Sequence, residues 1–557
     1  MSITDKNQQH FITVNQLMGM NQRQNPDDIP DNYSPLLVNI STDKPGVWAS
    51  TNGRYPLHTL RTSGGIKSLI EWSAFTIGTE SINPYRKIHI WRSLVVNSNS
   101  PVEEFDQNTQ TSKTIDATHA TNDFVETVNF KGSVYVIGLN TNMYTENGAS
   151  TYGLTQYSVN PQSVRAKCMA VSQNTLFIAN ITALGGVVVL NGERRVYYTA
   201  FSGNTTTDMF YNVARGENTN NSTNYFELFA PIVGLFRFSI TGILYIFTRD
   251  ECYSFDVRLL ENRIGPLQKF NIGLMNKRSI CEVNGAMTWM DYNGRIWTWT
   301  GYGLPENASW ELQDDEHGEA LLSQLDKNNL DLFCAGSIGN KIYFSLGQSI
   351  AYKGTLIINP VLKGLMTQSR QGFMWTVDDF PVKPSIFREA LIGSNKKLIF
   401  GDLNSDNIYQ INNGVSDGPT TPIYALARTK FIDMGIPLYD KNFIRIYIKY
   451  RTQPKPGTYL RVRWAVNGNN QYTTVSDPIY QGAGILPTGV ITGGTIDMNV
   501  GYNTTAPFNT AVIQLPTECS GKSLSIEVST YKLNENFEVS AFGFEFSVEG
   551  YELSSRT

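Results

Sequence analysis

Ala286-Met287-Thr288-Trp289-Met290-Asp291-Tyr292-Asn293-Gly294-Arg295-Ile296-Trp297-Thr298-Trp299 reads as two short strands joined by a tight turn. Asn-Gly readily takes the left-handed backbone of a hairpin turn, and aromatic and β-branched residues flank it on both sides. The same texture recurs along the chain. Ser133-Val134-Tyr135-Val136-Ile137, Asn174-Thr175-Leu176-Phe177-Ile178, Gly242-Ile243-Leu244-Tyr245-Ile246-Phe247, Gly339-Asn340-Lys341-Ile342-Tyr343-Phe344 and Asn395-Lys396-Lys397-Leu398-Ile399-Phe400 are further examples. Each joins a turn signal to a short apolar or alternating run. Hairpins repeating at intervals of about 40–55 residues are the mark of a β-propeller with one four-stranded blade per interval. The spacing predicts an all-β chain whose propeller has six blades, with seven as the alternative.

Around this repeat the texture changes twice. Residues 1–60 are crowded with turn formers, as in Asn25-Pro26-Asp27-Asp28-Ile29-Pro30-Asp31-Asn32-Tyr33, and read as an extended arm. Residues 61–430 carry the propeller rhythm. From 431 to 557, Phe443 to Arg451, Tyr459 to Val466, Ser523 to Ser529 and Val539 to Phe546 alternate as the strands of a C-terminal antiparallel β-sandwich, a docking domain. Within it Ile444, Ile446, Ile448 and Tyr450 are expected on one face, with Arg445, Tyr447, Lys449 and Arg451 on the other. One helix is expected, over Glu319-Ala320-Leu321-Leu322-Ser323-Gln324-Leu325-Asp326, after the acidic Asp314-Asp315-Glu316.

Composition narrows the function classes. Of 557 residues only 17% are charged, with a net charge of −4. The charged fraction is below the roughly 25% of an average soluble protein, and Asn, Thr, Ser, Gly and Tyr take its place. Such a surface suits contact with other subunits and gives no global attraction to nucleic acid or anionic lipid. The five cysteines (Cys168, Cys252, Cys281, Cys334, Cys519) are scattered and odd in number, so buried reduced thiols are expected. Met1 to His10 has no apolar core of a signal peptide, and 231–247 is too short and too interrupted to span a membrane.

Catalytic chemistry leaves little trace. The histidines His10, His58, His89, His119 and His317 form no pair at metal-ligand spacing. Asp314-Asp315-Glu316-His317-Gly318-Glu319 is the one charge-dense constellation and reads as a solvated loop. Asp402-Leu403-Asn404-Ser405-Asp406-Asn407 is faintly like a calcium loop but lacks the glycine and the bidentate glutamate. Gly64-Gly65 and Gly185-Gly186 lack the residues of a phosphate loop. Trp289, Trp297 and Trp299 could stack on sugar but fit blade packing better. No catalytic, cofactor-binding or metal-binding residue is assigned, and no enzyme activity is expected.

Two segments resemble the tail-nozzle proteins of short-tailed phages, the group of tail tubular protein B and the packaged-DNA stabilisation proteins. The first is Leu17-Met18-Gly19-Met20-Asn21-Gln22-Arg23 with Pro26 to Tyr33 and Asn39. Here Met18 replaces a glycine, and Lys44-Pro45-Gly46 only approximates the later Arg-Pro-Gly. The second runs from Gly401-Asp402 through Ile408-Tyr409-Gln410-Ile411, Asp417-Gly418, Pro422-Ile423, Arg428-Thr429-Lys430-Phe431 and Gly435-Ile436-Pro437 to Lys441 and Arg445-Ile446-Tyr447-Ile448, with Trp375 ahead of it. The resemblance implies a structural virion protein assembled in the bacterial cytoplasm. It would form a ring, hexameric in that family, below the portal and adaptor, retaining packaged DNA and conducting it during ejection. The partners implied are other copies of the chain, the adaptor–portal complex, tail fibres or a tail needle, and passing double-stranded DNA bound without sequence specificity. Two other readings stand beside it. One is a fibre-docking or receptor-binding propeller using loops such as 203–224 and 482–507, and the other is a glycan-degrading propeller enzyme.

Overall fold

The structure is a computed structural model. It describes residues 9–548 apart from 23–28, 60–64, 75–84, 93–101, 107–110, 117–123, 131–132, 140–143, 147–154, 157, 160–161, 185–186, 200–224, 259–264, 314–321, 323–324, 326–329, 331, 347–364, 370–373, 381, 393–394, 406, 412–413, 452–458, 468–492, 500–508, 518, 531–532 and 534–535. Seven antiparallel units of at least four strands follow one another along the chain. They occupy 66–116, 126–156, 165–227, 232–270, 280–307 and 334–378, and then 384–411 completed by Arg54–Thr59. The inner strands Ile66–Ala74, Glu126–Phe130, Arg165–Ser172, Ile232–Arg237, Ile280–Val283, Cys334–Ile338 and Pro384–Ile392 follow one another, the fourth meeting the turn Lys277–Ser279 that opens the fifth, and the last packs against the first. The fold is a closed seven-bladed β-propeller.

Six blades were the favoured expectation, and the structure corrects it to the alternative of seven. The miscount has a physical origin. The seventh blade has only three strands of its own, and its fourth, Arg54–Thr59, comes from the other end of the chain through the register Ile408↔His58, Gln410↔Tyr55 and Ile411↔Arg54. The N-terminal arm is correspondingly not irregular. His10–Asn15, Leu36–Val38, Ile40–Ser41, Trp48–Ser50 and Arg54–Thr59 are all strands; Ile40–Ser41 forms a local hairpin with Trp48–Ser50, and the other four pair with partners distant in sequence.

Blade packing explains why the hairpin at 286–299 reads so clearly. Met290 pairs with Ile296 across a loop in which Gly294 takes φ +84° and Asp291 Oδ1 accepts the N–H groups of Asn293 and Arg295. Ala286–Met290 is buried at every position, because neighbouring blades cover both faces of the sheet.

The sandwich is built from two sheets. One orders Ile40–Ser41, Trp48–Ser50, Glu538–Val548, Lys441–Arg451 and Asn509–Gln514, with His10–Asn15 also on Glu538–Val548. The other is not separate from the propeller. Met374–Asp378, the outer strand of the sixth blade, pairs in parallel with Leu36–Val38. That strand leads on through Leu426–Arg428, Leu524–Ser529 and Tyr459–Val466 to Gly493–Asn499, making nine strands in one sheet. One apolar core runs through both parts, from Met290, Phe344 and Trp375 to Ile446, Ile526 and Phe544. Gly19 sits at the seam, where a Cβ would lie 2.8 Å from Met374 Cα. The Met20 N–H donates to Trp375 O at 2.9 Å and the Trp375 indole donates to Ala308 O at 2.6 Å.

The expected alternation along Phe443 to Arg451 holds in part. Ile446 and Ile448 are buried and Arg445, Lys449 and Arg451 exposed, but a bulge between Phe443 and Arg445 turns Phe443 inward and leaves Ile444 half-buried. The same shift buries Lys441, whose ammonium donates to the carbonyls of Ile436, Tyr439 and Lys522 at 2.8, 2.9 and 2.6 Å. Three oxygens replace its hydration, and the loop 436–439 is held by that charge. The expected helix over 319–326 lies largely outside the described residues; Leu322 and Leu325 are buried in the main core.

Candidate functional site

A cluster of charged residues joins the inner strands of the propeller near its axis. It starts from a local device. Asn276-Lys277-Arg278-Ser279 forms a capping box in which the Asn276 side chain accepts from the Arg278 and Ser279 N–H groups and Ser279 Oγ accepts from the Asn276 N–H. Asn276 Nδ2 also donates to Phe333 O at 3.0 Å, so this turn ahead of the fifth blade is fixed. Two consecutive cations therefore project from a rigid base.

Lys277 places its ammonium 2.6 Å from Glu126 Oε2, on the inner strand of the second blade, and donates to Met169 O of the third at 2.6 Å. Blades two and five are not neighbours, so this ion pair crosses the bore. Arg278 donates to Ser385 O of the seventh blade at 2.6 Å, and its guanidinium carbon lies 3.2 Å from the centroid of the Phe124 ring. Lys67 of the first blade approaches that ring at 4.5 Å. Arg388 of the seventh donates to Leu69 O of the first at 2.9 Å. Burial draws the Arg388 pKa down while the charge of Glu126 supports it. Side chains thus link the inner strands of five blades around the centre. A buried ion pair of this kind costs about 3–5 kcal/mol when one partner is removed. The carboxylate of the cluster is engaged by an ammonium at 2.6 Å.

The residues singled out in the sequence fare as follows. Trp289 and Trp299 are buried, and the three indoles donate to Gly273 O, Asp291 Oδ2 (from Trp297) and Gly303 O, so no aromatic platform is offered to sugar there. Asp402 accepts from the Asn404 N–H and from Ser405 Oγ, a turn closed on itself; Asp406 lies outside the described residues. The stretch 314–319 with His317 and the loop 203–224 lie outside the described residues; of the expected loop 482–507 the described part, Gly493–Asn499, is instead a strand paired with Tyr459–Val466. Among the described residues no group of three His, Cys, Asp or Glu side chains could hold a metal ion, and no helix is long and apolar enough to cross a membrane.

The cysteines are free and buried. Burial pushes Cys168 up to about 11 in spite of Lys277 nearby, and Cys281, Cys334 and Cys519 up to about 12; Cys252 is also raised well above its ordinary value by burial. Thiolate is the reactive form. Native protein at pH 8 is expected to resist alkylation at all five positions and to label fully after unfolding, read by intact mass; rapid native labelling at any of them would contradict the packing described here.

Family models give no match to this chain, and no curated protein matches it. Solved structures do. One, titled "Crystal Structure of Mitotic Checkpoint Complex", is similar at 10% identity and TM-score 0.37, covering 64% of this chain and 92% of its own. The WD40 beta propeller domain of Doa1 matches at 10% identity and TM-score 0.36, over 64% and 96% of the two chains. A third, titled "YCF48 bound to D1 peptide", matches at 11% identity and TM-score 0.36, over 69% and 100%. What those proteins bind does not transfer at such distance.

Sequence reasoning missed the axial cluster. Glu126, Lys277 and Arg278 stand at or near the starts of inner strands and Arg388 in the middle of one, but contacts between blades two, five and seven have no spacing to read. The Asn276-x-x-Ser279 pattern was the available signal. A second feature is a surface one. Gly301 (φ +98°) and Gly303 (φ +67°) bend the loop after Trp299 so that Tyr302 and Leu304 stand 81% and 80% exposed, while the Trp299 indole holds the loop through Gly303 O at 3.1 Å.

Proposed function

We propose that this chain is a structural subunit of a phage tail nozzle, assembling into a ring below the portal and adaptor that retains packaged DNA and conducts it during ejection. The sheet shared by propeller and sandwich carries this reading. A part that holds a pressurised polymer gains from a body without a hinge, and nine strands run from the sixth blade into the sandwich without a linker. The net charge of −4 agrees too, since a conduit lined by many Lys and Arg contacts would bind phosphate tightly and with strong salt dependence. In this reading no catalytic step is needed, the ring is hexameric, its partners are other copies, the adaptor–portal complex and fibres or a needle, and its place is the virion tail. A second reading, fibre or receptor docking, is favoured by the rigid apolar loop at Tyr302 and Leu304, the kind of pre-ordered anchor that binding surfaces use.

Negative-stain microscopy of the purified full chain, alone and with its portal–adaptor complex, tests the proposal. Six-fold rings on the complex are the expected result. A persistent monomer that ignores the complex would overturn it.

A further inference from the structure

The sandwich sheet that carries the N-terminal strand has two open edges, and they fit each other. Its four central strands run His10–Asn15, Glu538–Val548, Lys441–Arg451, Asn509–Gln514, each antiparallel to the next. Among the described residues neither outer strand has a partner on its far side. Four alternating strands leave the two edges running in opposite directions. A second copy, turned about an axis along the strands, then brings its first strand antiparallel to Asn509–Gln514.

Backbone direction agrees. The Leu515 N–H donates to Ile444 O at 2.9 Å. Successive residues of an antiparallel strand address opposite neighbours, so Ile513 and Ala511 face Ile446 and Ile448, and the N–H and C=O groups of Thr510, Val512 and Gln514 face the open edge. The ladder is regular from Arg445 to Lys449. Carrying the alternation through Tyr447↔Gly543 and Phe544↔Ile12 leaves Phe11, Thr13 and Asn15 facing the other edge. These six residues also share the outer face, where Phe11 is 58% and Val512 56% exposed. Neither strand, HFITVN or NTAVIQ, holds the Lys, Glu or Pro with which edges are commonly protected.

We propose that copies of this chain join head to tail along this seam, with Phe11 opposite Gln514, Thr13 opposite Val512 and Asn15 opposite Thr510. The register matches backbone donors to acceptors and keeps both faces of the sheet continuous. It brings the exposed Phe11 and Val512 together at one seam. A head-to-tail contact closes into a ring when its rotation allows. The seam deepens the ring reading above and rests on it only for that closure.

The test is the full chain carrying Thr13→Cys with Val512→Cys under mild oxidation, analysed on non-reducing gels. Within one chain the two positions are three strand spacings apart, roughly 14 Å, beyond disulfide reach, and the native thiols are buried. A ladder of covalent oligomers from the double variant, absent from either single variant, is expected. Covalent dimers from Val512→Cys alone would mean that two Asn509–Gln514 edges meet about a two-fold axis, overturning the head-to-tail seam. Rings seen by microscopy without cross-linking would overturn the seam and leave the ring. Cross-linking without rings on the portal–adaptor complex would keep the seam and overturn the ring. Monomers throughout would overturn both. Val512→Pro, which removes an edge donor, is expected to weaken association at least ten-fold with an unchanged melting temperature of the monomer.

Discussion

Glu527→Ala is expected to lower the unfolding free energy by about 3–5 kcal/mol, and to cost more than Arg428→Ala. Three neighbouring strands place Arg428, Glu527 and Arg463 in one row. Arg428 and Glu527 are wholly buried with the charged atoms 2.5 Å apart, and Arg463 reaches the other carboxylate oxygen at 3.7 Å. Burying a charge is tolerable only when it is paired and hydrogen-bonded. Deleting the carboxylate leaves two guanidiniums in the core without it, whereas deleting Arg428 leaves Glu527 still beside Arg463. Denaturant midpoints of the two variants at neutral pH read the asymmetry. Equal midpoints would show that the carboxylate does not organise the row.

The second large effect is expected at Arg54, on the strand that completes the seventh blade. Arg54 meets both oxygens of Asp417 at 3.2 and 3.1 Å, donates to Asn39 Oδ1 at 2.9 Å and lies 4.2 Å over the Phe380 ring, with 1% of its side chain exposed. Asn39, in the left-handed region at φ +53°, uses the same oxygen to accept from the Asp379 N–H and its amide to reach Tyr424 O. One guanidinium therefore ties the closing strand, the exit from the sixth blade and the entry to the sandwich. Arg54→Ala is expected to cost about 3–5 kcal/mol, like other broken buried pairs. It should also speed amide exchange in Asn407–Ile411, while Arg54→Lys, which keeps the charge but loses the fork, falls between. Unchanged exchange at 407–411 would show that the strand is held by its backbone ladder alone.

Much of the fold is legible in the residues because blade hairpins are local: Asn293-Gly294 needs only its flanks, and Phe177, Ile246 and Phe344 advertise buried strands on their own. What could not be read is what depends on distant partners. Leu36–Val38 and Trp48–Ser50 are three residues long, too short for any periodicity. Their strand character comes from Arg428 and Glu538 strands nearly 400 and 500 positions away. The axial cluster is hidden for the same reason. Lys277 looks like a surface lysine until Glu126 of another blade is placed against it.

The closing strand also sets a timetable for synthesis. Arg54–Thr59 leaves the ribosome about 350 residues before its partner Asn407–Ile411, and at 5–20 residues per second that interval is roughly 20–70 s. During it the early segments, His10–Asn15 among them, have no native partner on the nascent chain, and the sandwich strand Glu538–Val548 arrives last of all. Closure of the propeller therefore waits for residue 411 and completion of the sandwich sheet for the strand at 538–548, even though every blade but the last can form as it emerges. A polypeptide truncated before residue 400 would carry an unclosed propeller with its first and last walls exposed, open to pairing with any neighbour being made on the same message.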